Sequence, residues 1–438
     1  MKYGIIIFLL TFFSLVIQGP FLFFEKPDEL MAIPLVLFLG LGTAFFLNKG
    51  SDSEDTDFQV NIFFVAFSLR LILGIIMYGW NLSSILGDED ASGYIGGWAA
   101  AQNWYENGLD GFLSDIYKIF VDKQNVGQSV IWGSFMFVAG GPSRMIVSVI
   151  NSFAGSMLVI VVYRLAKKLF DFQTAKVAAF IVTFWLSFIL LSAGTSKEML
   201  VICIEWSLLY LAIRNLKGLT QNDILISAPL MLALYTLRFY AFYMCAAALF
   251  FRAIITNKKT FVRNSILGFI LVTSMLMFLN ANGSLNKDFE RFDKQTQSMD
   301  TWRTYVATST DSGTNIYSEY KDNSIAAVPM ATIYFFFAPF PWEIFGGSLR
   351  NSFAVVENIV LIILFVIGFQ SIKIFLKEKF YQILPILVFC VLYAGLQIWG
   401  LSNVGLAWRH KQTVMPLLFL LTALSLTKNF RKKLFPVK

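Results

Sequence analysis

Four short stretches of this sequence carry side chains that can do chemistry. The first is Gly87 to Tyr94, in which Asp88, Glu89 and Asp90 are consecutive. Crowded like charges raise the pKa of at least one carboxyl group, which suits a general base. The same oxygens can hold a divalent cation, and a solvated turn is the plain alternative. The second is Ser196-Lys197-Glu198. An ammonium and a carboxylate there bind a phosphate or anchor a helix end. The third is Arg238, set between Leu237 and the aromatic pair Phe239 and Tyr240. A guanidinium in that setting clamps a phosphate or stacks on a ring, or else it snorkels to the membrane surface. The fourth is Trp408-Arg409-His410-Lys411. His410 is the only histidine in the chain, which argues against a histidine nucleophile and a multi-histidine zinc site. Arg70 lies in the middle of an apolar run. It is expected to face a protein interior and to pair with a carboxylate or a backbone carbonyl.

The elements that must position these residues are set by composition. Of 438 residues, 57% are hydrophobic and 14% charged, against about 25% charged in a soluble domain. Mean hydropathy is +0.65. These values exclude a soluble globular enzyme, a disordered chain and a disulfide scaffold, and they imply a polytopic membrane protein. Cys203, Cys245 and Cys390 each sit inside an apolar run and are read as packing residues. A spanning helix needs about 20 apolar residues. Lys2 to Phe24 reads as a retained helix and not as a cleaved signal. Further spans are expected near 30–48, 60–80, 145–163, 175–194, 197–214, 223–237, 239–255, 262–281, 352–372, 380–399 and 413–427. The apolar pieces 128–140 and 328–346 are too short or too broken by proline, and are expected at the membrane interface.

The net charge is +7, and its distribution follows topology. Arg164, Lys167, Lys168 and Lys176 fall on one side, as do Arg214, Lys217, Arg252, Lys258, Lys259, Arg263, Lys373, Lys377, Lys379 and the basic C-terminus. That side is read as cytoplasmic, with both termini inside. The basic residues are orientation signals and not a nucleic-acid patch. Asp52, Glu54, Asp55 and Asp57 stand against this pattern, though acidic residues weigh little in it. Arg409, His410 and Lys411 fall outside, against the trend, so an anionic ligand explains them better than topology does. Segments 81–144 and 281–351 also fall outside. There is no internal repeat and no inverted pair of broken helices of the transporter kind.

In their order these residues resemble the GT-C superfamily of polytopic glycosyltransferases, which includes protein O-mannosyltransferases and the aminoarabinose lipid A transferases. A span with an arginine, Arg70, is followed by Asp90-Ala91-Ser92-Gly93-Tyr94, then by Ala99–Ala101 and Asn107-Gly108. Next come 144–153 and the basic stretch 162–170, then Ser196, Lys197 and Glu198, and near the end Gly405-Leu406-Ala407 with Arg409. The likeness runs from about residue 60 to the C-terminus, and two further spans in 1–59 precede it. It implies a GT-C-like all-α bundle of about twelve spans, with short interfacial helices in the outer loops. A core would occupy 60–280, an outer polar loop 281–351 and the last helices 352–438.

The resemblance implies transfer of a sugar from a polyprenyl-phosphate carrier to a glycan, lipid or protein acceptor. The reaction would face the outside of a bacterial cytoplasmic membrane. Asp90 is then the base, with Asp88 and Glu89 as alternatives. Arg409, Lys197, Arg238, His410 and Lys411 hold the lipid phosphate. Arg70, Glu198 and Tyr94 support them. No cofactor is assigned, and a divalent cation is compatible with the acidic cluster. Two other readings remain open: an O-antigen-type polysaccharide polymerase or ligase, using Arg291, Arg303 and Arg350, and a lipid-linked sugar flippase. The early acidic motif disfavours the former. The latter needs mid-membrane charges in several spans, and only Arg70 and Glu205 are so placed.

Overall fold

The computed structural model describes residues 2–48, 53–83, 92–121, 126–215, 220–255, 324–343 and 349–434, with isolated positions in 262–277. Every described element is a helix. That is the outcome expected where an apolar chain must satisfy its backbone groups internally. Asp88, Glu89 and Asp90 lie outside the described residues, as do most of 281–351 and most of the expected span 262–281. Five described helices are long and apolar enough to cross a membrane, or six if the bent pair 172–193 counts as one. Shorter apolar helices accompany them. The chain divides into two units, 1–210 with 229–239, and 211–228 with 240–438.

The first unit contains α1 (Lys2–Leu22), a 3-10 turn (Pro27–Met31), α2 (Ala32–Leu47), α3 (Ser53–Gly79), α4 (Ser92–Val121) and α5 (Val126–Ala139). It continues through α6 (Arg144–Leu169), α7 (Phe172–Phe184), α8 (Leu186–Ala193), most of α9 (Glu198–Arg214) and the end of α10 (Gln221–Leu237). Helix α6 is the axis. Its apolar window is 89% buried, against 28% for the 27–47 segment, so α6 is ringed by protein while α2 offers its flank to lipid. Close packing needs small residues at the crossings. A Cβ at Gly155 of α6 would press on Arg70 of α3 and Ser192 of α8, and one at Gly74 of α3 would strike Ser148 of α6. Helix α4 bends at Gly108, whose φ of 56° suits glycine. Its two limbs close over Trp104 and Val130. All three cysteines are buried.

The acidic start of α3 is where composition and topology disagreed. Asp55 meets Lys167 at 3.0 Å and Tyr163, Glu54 meets Lys176 at 3.3 Å, and Gln59 accepts from Arg164 Nε at 2.7 Å. These acids therefore share one end of the unit with the basic 164–176 stretch and are balanced by it.

Helices α7 and α8 form one apolar run broken at Trp185, where the backbone is extended and the axis turns by 54°. The break strips the last carbonyls of α7 of their helical partners. Arg70, fully buried, fills the gap. Its Nη2 donates to Val182 O at 3.3 Å, and its Nη1 to Ala66 O at 3.0 Å and Thr183 O at 3.5 Å. Its Nε donates to Ser192 Oγ at 3.2 Å. Of the two partners expected, the arginine takes carbonyls.

The second unit holds α11 (Phe239–Ile255), α12 (Ser324–Phe337), a 3-10 turn (Pro341–Glu343), α13 (Leu349–Trp399), α14 (Val404–Lys411) and α15 (Met415–Leu434). Helix α13 cannot be straight. A straight helix would set Asn358 and Tyr393 about 52 Å apart. Yet Asn358 bonds Lys411 and Tyr393 bonds the adjacent His410, a path of roughly 30 Å at full side-chain stretch. The helix path therefore folds back, and its two limbs are the apolar runs Ser352–Lys377 and Gln382–Trp399. Helix α15 packs along the first limb, with Thr422 donating to Leu364 O at 2.9 Å and Ser371 and Ser425 joined at 2.5 Å.

Candidate functional site

In the first unit, the residues just after the acidic cluster lead by contact to two of the other candidate stretches. Gly93, at the start of α4, lies against the Gln128 amide of α5. The neighbouring Gly127 lies against Thr236 at the end of α10. Two residues on, Arg238 pairs with Glu198 at 2.5 Å, and both side chains are buried. The helices explain this placement. Glu198 opens α9, where the helix dipole favours an anion. Arg238 is the single residue between α10 and α11, where the end of one helix and the start of the next act on a cation in opposite senses. The start of α9 lowers the cost of burying Glu198, and Glu198 in turn balances Arg238.

Lys197, half-buried, stands in the turn between α8 and α9. That turn is gripped from below. Asn151 of α6 donates its Nδ2 to Gly194 O at 2.8 Å and to Ser196 O at 2.7 Å, and Ser152 donates to Ser192 O at 3.3 Å. Because both amide hydrogens go to carbonyls, the orientation of the Asn151 amide is fixed. Its Oδ1 is then a buried acceptor with no partner among the described residues. Sequence reasoning passed over Asn151, although a fully buried amide inside an apolar run is itself a signal.

Tyr94 lies under the guanidinium of Arg144, with Arg144 Cζ 5.4 Å from the ring centroid. Burial, then the carboxylates Glu29 and Asp28, push its phenol above the usual range, against the pull of Arg144. Further along α4, burial raises the Asp115 carboxyl. Hydrogen bonds from Lys118, Asn103 and Trp104 outweigh burial and leave it below the usual range. Asp115 is a brace for the α4 bend.

In the second unit, three consecutive basic residues on α14 have three different fates. The helix starts at Asn403, whose Oδ1 accepts from Leu406 N at 3.0 Å. Lys411 is fully enclosed. Its ammonium donates to Asn358 Oδ1 at 2.6 Å, Ala338 O at 3.1 Å and Phe336 O at 3.2 Å. Asn358 Nδ2 in turn donates to Phe337 O at 3.0 Å and Pro339 O at 2.7 Å. Four successive carbonyls at the end of α12 are thus satisfied by two side chains. All three ammonium hydrogens of Lys411 have protein acceptors. Burial pushes its pKa down to about 8, with Glu357 acting in the other direction. His410 Nδ1 meets Tyr393 Oη at 3.2 Å. Arg409 is half-buried, and its Nε has no hydrogen-bond partner among the described residues.

Among the described residues no group of three or more His, Cys, Asp or Glu side chains is placed to hold a metal ion. Comparison of the chain with protein-family models, with curated proteins and with solved structures finds no match in any of the three.

Proposed function

We propose that this protein is a GT-C-like membrane glycosyltransferase of about twelve spans that moves a sugar from a polyprenyl-phosphate carrier to an acceptor outside the cytoplasmic membrane. Asp90 deprotonates the acceptor hydroxyl, with Asp88 and Glu89 as neighbours able to take that role. The leaving group is a lipid phosphate, so the chemistry asks mainly for a base and for cations that meet the departing charge. Arg409 is the cation best suited to that phosphate, because its guanidinium is half-buried and its enclosed Nε has no hydrogen-bond partner among the described residues. In the first unit, Lys197, next in sequence to Glu198, is the proposed phosphate-side cation. Arg238 is matched by Glu198 and Lys411 by three protein acceptors, so both act by holding their surroundings in place.

The observation that carries this reading is the contact chain Gly93–Gln128, Gly127–Thr236 and Arg238–Glu198. It links the residues beside the acidic motif to the Ser196-Lys197-Glu198 motif within one unit. The test is transfer from a polyprenyl-phosphate sugar by purified protein in detergent. Asp90→Asn keeps the side-chain shape and removes the base, and should lower the rate roughly 10²- to 10⁴-fold. Full turnover in Asp90→Asn, Asp88→Asn and Glu89→Gln alike would end the glycosyltransferase reading.

A further inference from the structure

The local sequence does not favour the turn that carries Lys197. Val201 N donates to the Lys197 carbonyl at 3.0 Å, so Lys197 caps the start of α9. Ser, Thr, Asp and Asn are preferred at that position because their side-chain oxygens accept from the first helical N–H groups, and lysine has no acceptor to offer. Its charge also sits at the positive end of the helix. Upstream, α8 has only eight residues and ends at Gly194, whose backbone is extended. A helix that short has little stability of its own. The chain from Trp185 to Lys197 therefore takes its place from what it is fastened to.

The fastening is one face of α6, on which Asn151, Ser152 and Gly155 are neighbours. The missing side chain of Gly155 lets Ser192 and Arg70 approach. Ser152 Oγ donates to Ser192 O at 3.3 Å. Asn151 Nδ2 then donates to Gly194 O at 2.8 Å and to Ser196 O at 2.7 Å, the closest bonds of the series. These two carbonyls flank the buried Thr195, and the second immediately precedes Lys197. Asn151 is itself fully buried, and committing both amide hydrogens leaves its Oδ1 with no partner among the described residues. A leucine would fill a similar space without an orphan acceptor, whose burial is destabilising. What the amide alone supplies is the grip on the turn.

We propose that Asn151 is a positioning residue for Lys197. By binding the carbonyls of Gly194 and Ser196 it fixes the start of α9, so that the Lys197 ammonium is presented to the carrier phosphate from one place. The functional half rests on the reading of Lys197 as a phosphate-side cation. The positional half does not.

Two measurements separate the halves. The native cysteines are buried, so a nitroxide can be directed to Lys197→Cys. Its spectrum is recorded in the purified chain with Asn151 intact, in Asn151→Leu, in Asn151→Ser and in Ser152→Ala. Asn151→Leu removes both donors at nearly constant volume. Asn151→Ser keeps a polar side chain too short to reach both carbonyls, and it stands in if leucine prevents folding. Ser152→Ala removes a bond to α8 from the same face and leaves the turn gripped. The expected label is immobilised in the intact and Ser152→Ala chains and mobile in both Asn151 variants. Sugar transfer is then measured with Lys197 present and in Lys197→Met. With Lys197 present, each Asn151 variant should lower kcat/KM for the polyprenyl-phosphate donor roughly ten- to a hundredfold, as expected when a binding group is misplaced by about an ångström. In Lys197→Met it should lower it no further, because residues that act through one another are not additive. A purely structural asparagine would give the same fall in both backgrounds. An immobilised label in both Asn151 variants overturns the proposal, as do equal falls with and without Lys197. A chain that shows no transfer even when unchanged, yet gains label mobility in the Asn151 variants, removes the glycosyltransferase reading and leaves the positional role standing.

Discussion

The Glu198–Arg238 pair gives the sharpest energetic test of the first unit. The side chains are 9% and 5% exposed, so neither charge can fall back on water if its partner is removed. Breaking a buried pair by removing one member costs about 3–5 kcal/mol, because the remaining charge is left uncompensated. Here one helix end softens the loss on one side of the pair. The N-terminal dipole of α9 still favours Glu198 when Arg238 is gone, by about 0.3–1 kcal/mol, whereas Arg238 stands between opposing helix ends. Arg238→Met should therefore destabilise the protein by about 3 kcal/mol, and Glu198→Gln by about 3–5 kcal/mol. In the double variant no buried charge remains. It should be less destabilised than the sum of the singles by about 2–3 kcal/mol, since neighbours in one ion pair are not additive. Unfolding by SDS in mixed micelles, followed by the fluorescence of the ten tryptophans, reads all four corners of the cycle. Losses that simply add would mean that the two groups do not feel each other in the folded chain, and the site argument built on their contact would go with them.

Three further outcomes follow. Arg70→Met should destabilise by about 2–4 kcal/mol, because it strands the Val182 and Thr183 carbonyls at the α7–α8 break, and Arg70→Lys should recover only part of this; SDS unfolding measures it, and a neutral Arg70→Met would contradict the capping role. Arg409→Lys should raise KM for the polyprenyl-phosphate donor at least tenfold while leaving stability unchanged, because an ammonium lacks the planar fork; near-native kinetics for both Arg409→Lys and Arg409→Ala would remove it from the site. Lys411 has a folded pKa of about 8 against an ordinary 10.5, so the unfolded chain binds its proton more tightly between these values and stability should rise with pH across that window; the rise should vanish in Lys411→Met when unfolding is compared from pH 7 to 11, and a stability that falls through the window only when Lys411 is present would reverse the argument.

Much of the helical plan was legible in the sequence, because apolar run length and the lack of charge are local properties. The two limbs of α13 show this. The Lys373–Lys379 stretch between two apolar runs announced a change of direction, and contacts to His410 and Lys411 require one. Arg70 was legible for a similar reason: a lone charge in an apolar run must find acceptors. Reading basic residues as topology signals hid their second role. Arg252 donates to Ala212 O at 2.8 Å and Asn215 O at 2.9 Å, closing the end of α9, while Arg214 pairs with Asp223. The residues that shape the candidate sites were harder to see. Glu29, Asn151 and Asn358 act on partners between 19 and 116 positions away, and no local pattern marks a long-range acceptor. Lys411 looked like part of a basic patch because its sequence neighbours are basic. Successive residues on a helix point about 100° apart, and that rotation sends Lys411 inward while Arg409 keeps partial exposure.

The capping of the α7–α8 break by Arg70 also sets an order of assembly. The groups that receive this guanidinium lie 112 to 122 residues later in the chain. At a synthesis rate of about 5–20 residues per second, α3 leaves the ribosome roughly 6–24 seconds before its acceptors exist. During that interval a lone arginine at the bilayer centre costs about 2.5–3.5 kcal/mol, which opposes release of α3 into lipid. On that energy, retention of α3 beside the insertion machinery until α6 to α8 arrive is favoured over its release alone. Removing the charge, as in Arg70→Leu, would free α3 to leave early and alone. The mature bundle would lose one cap, and the nascent chain would lose the energetic reason for its third helix to wait for the eighth.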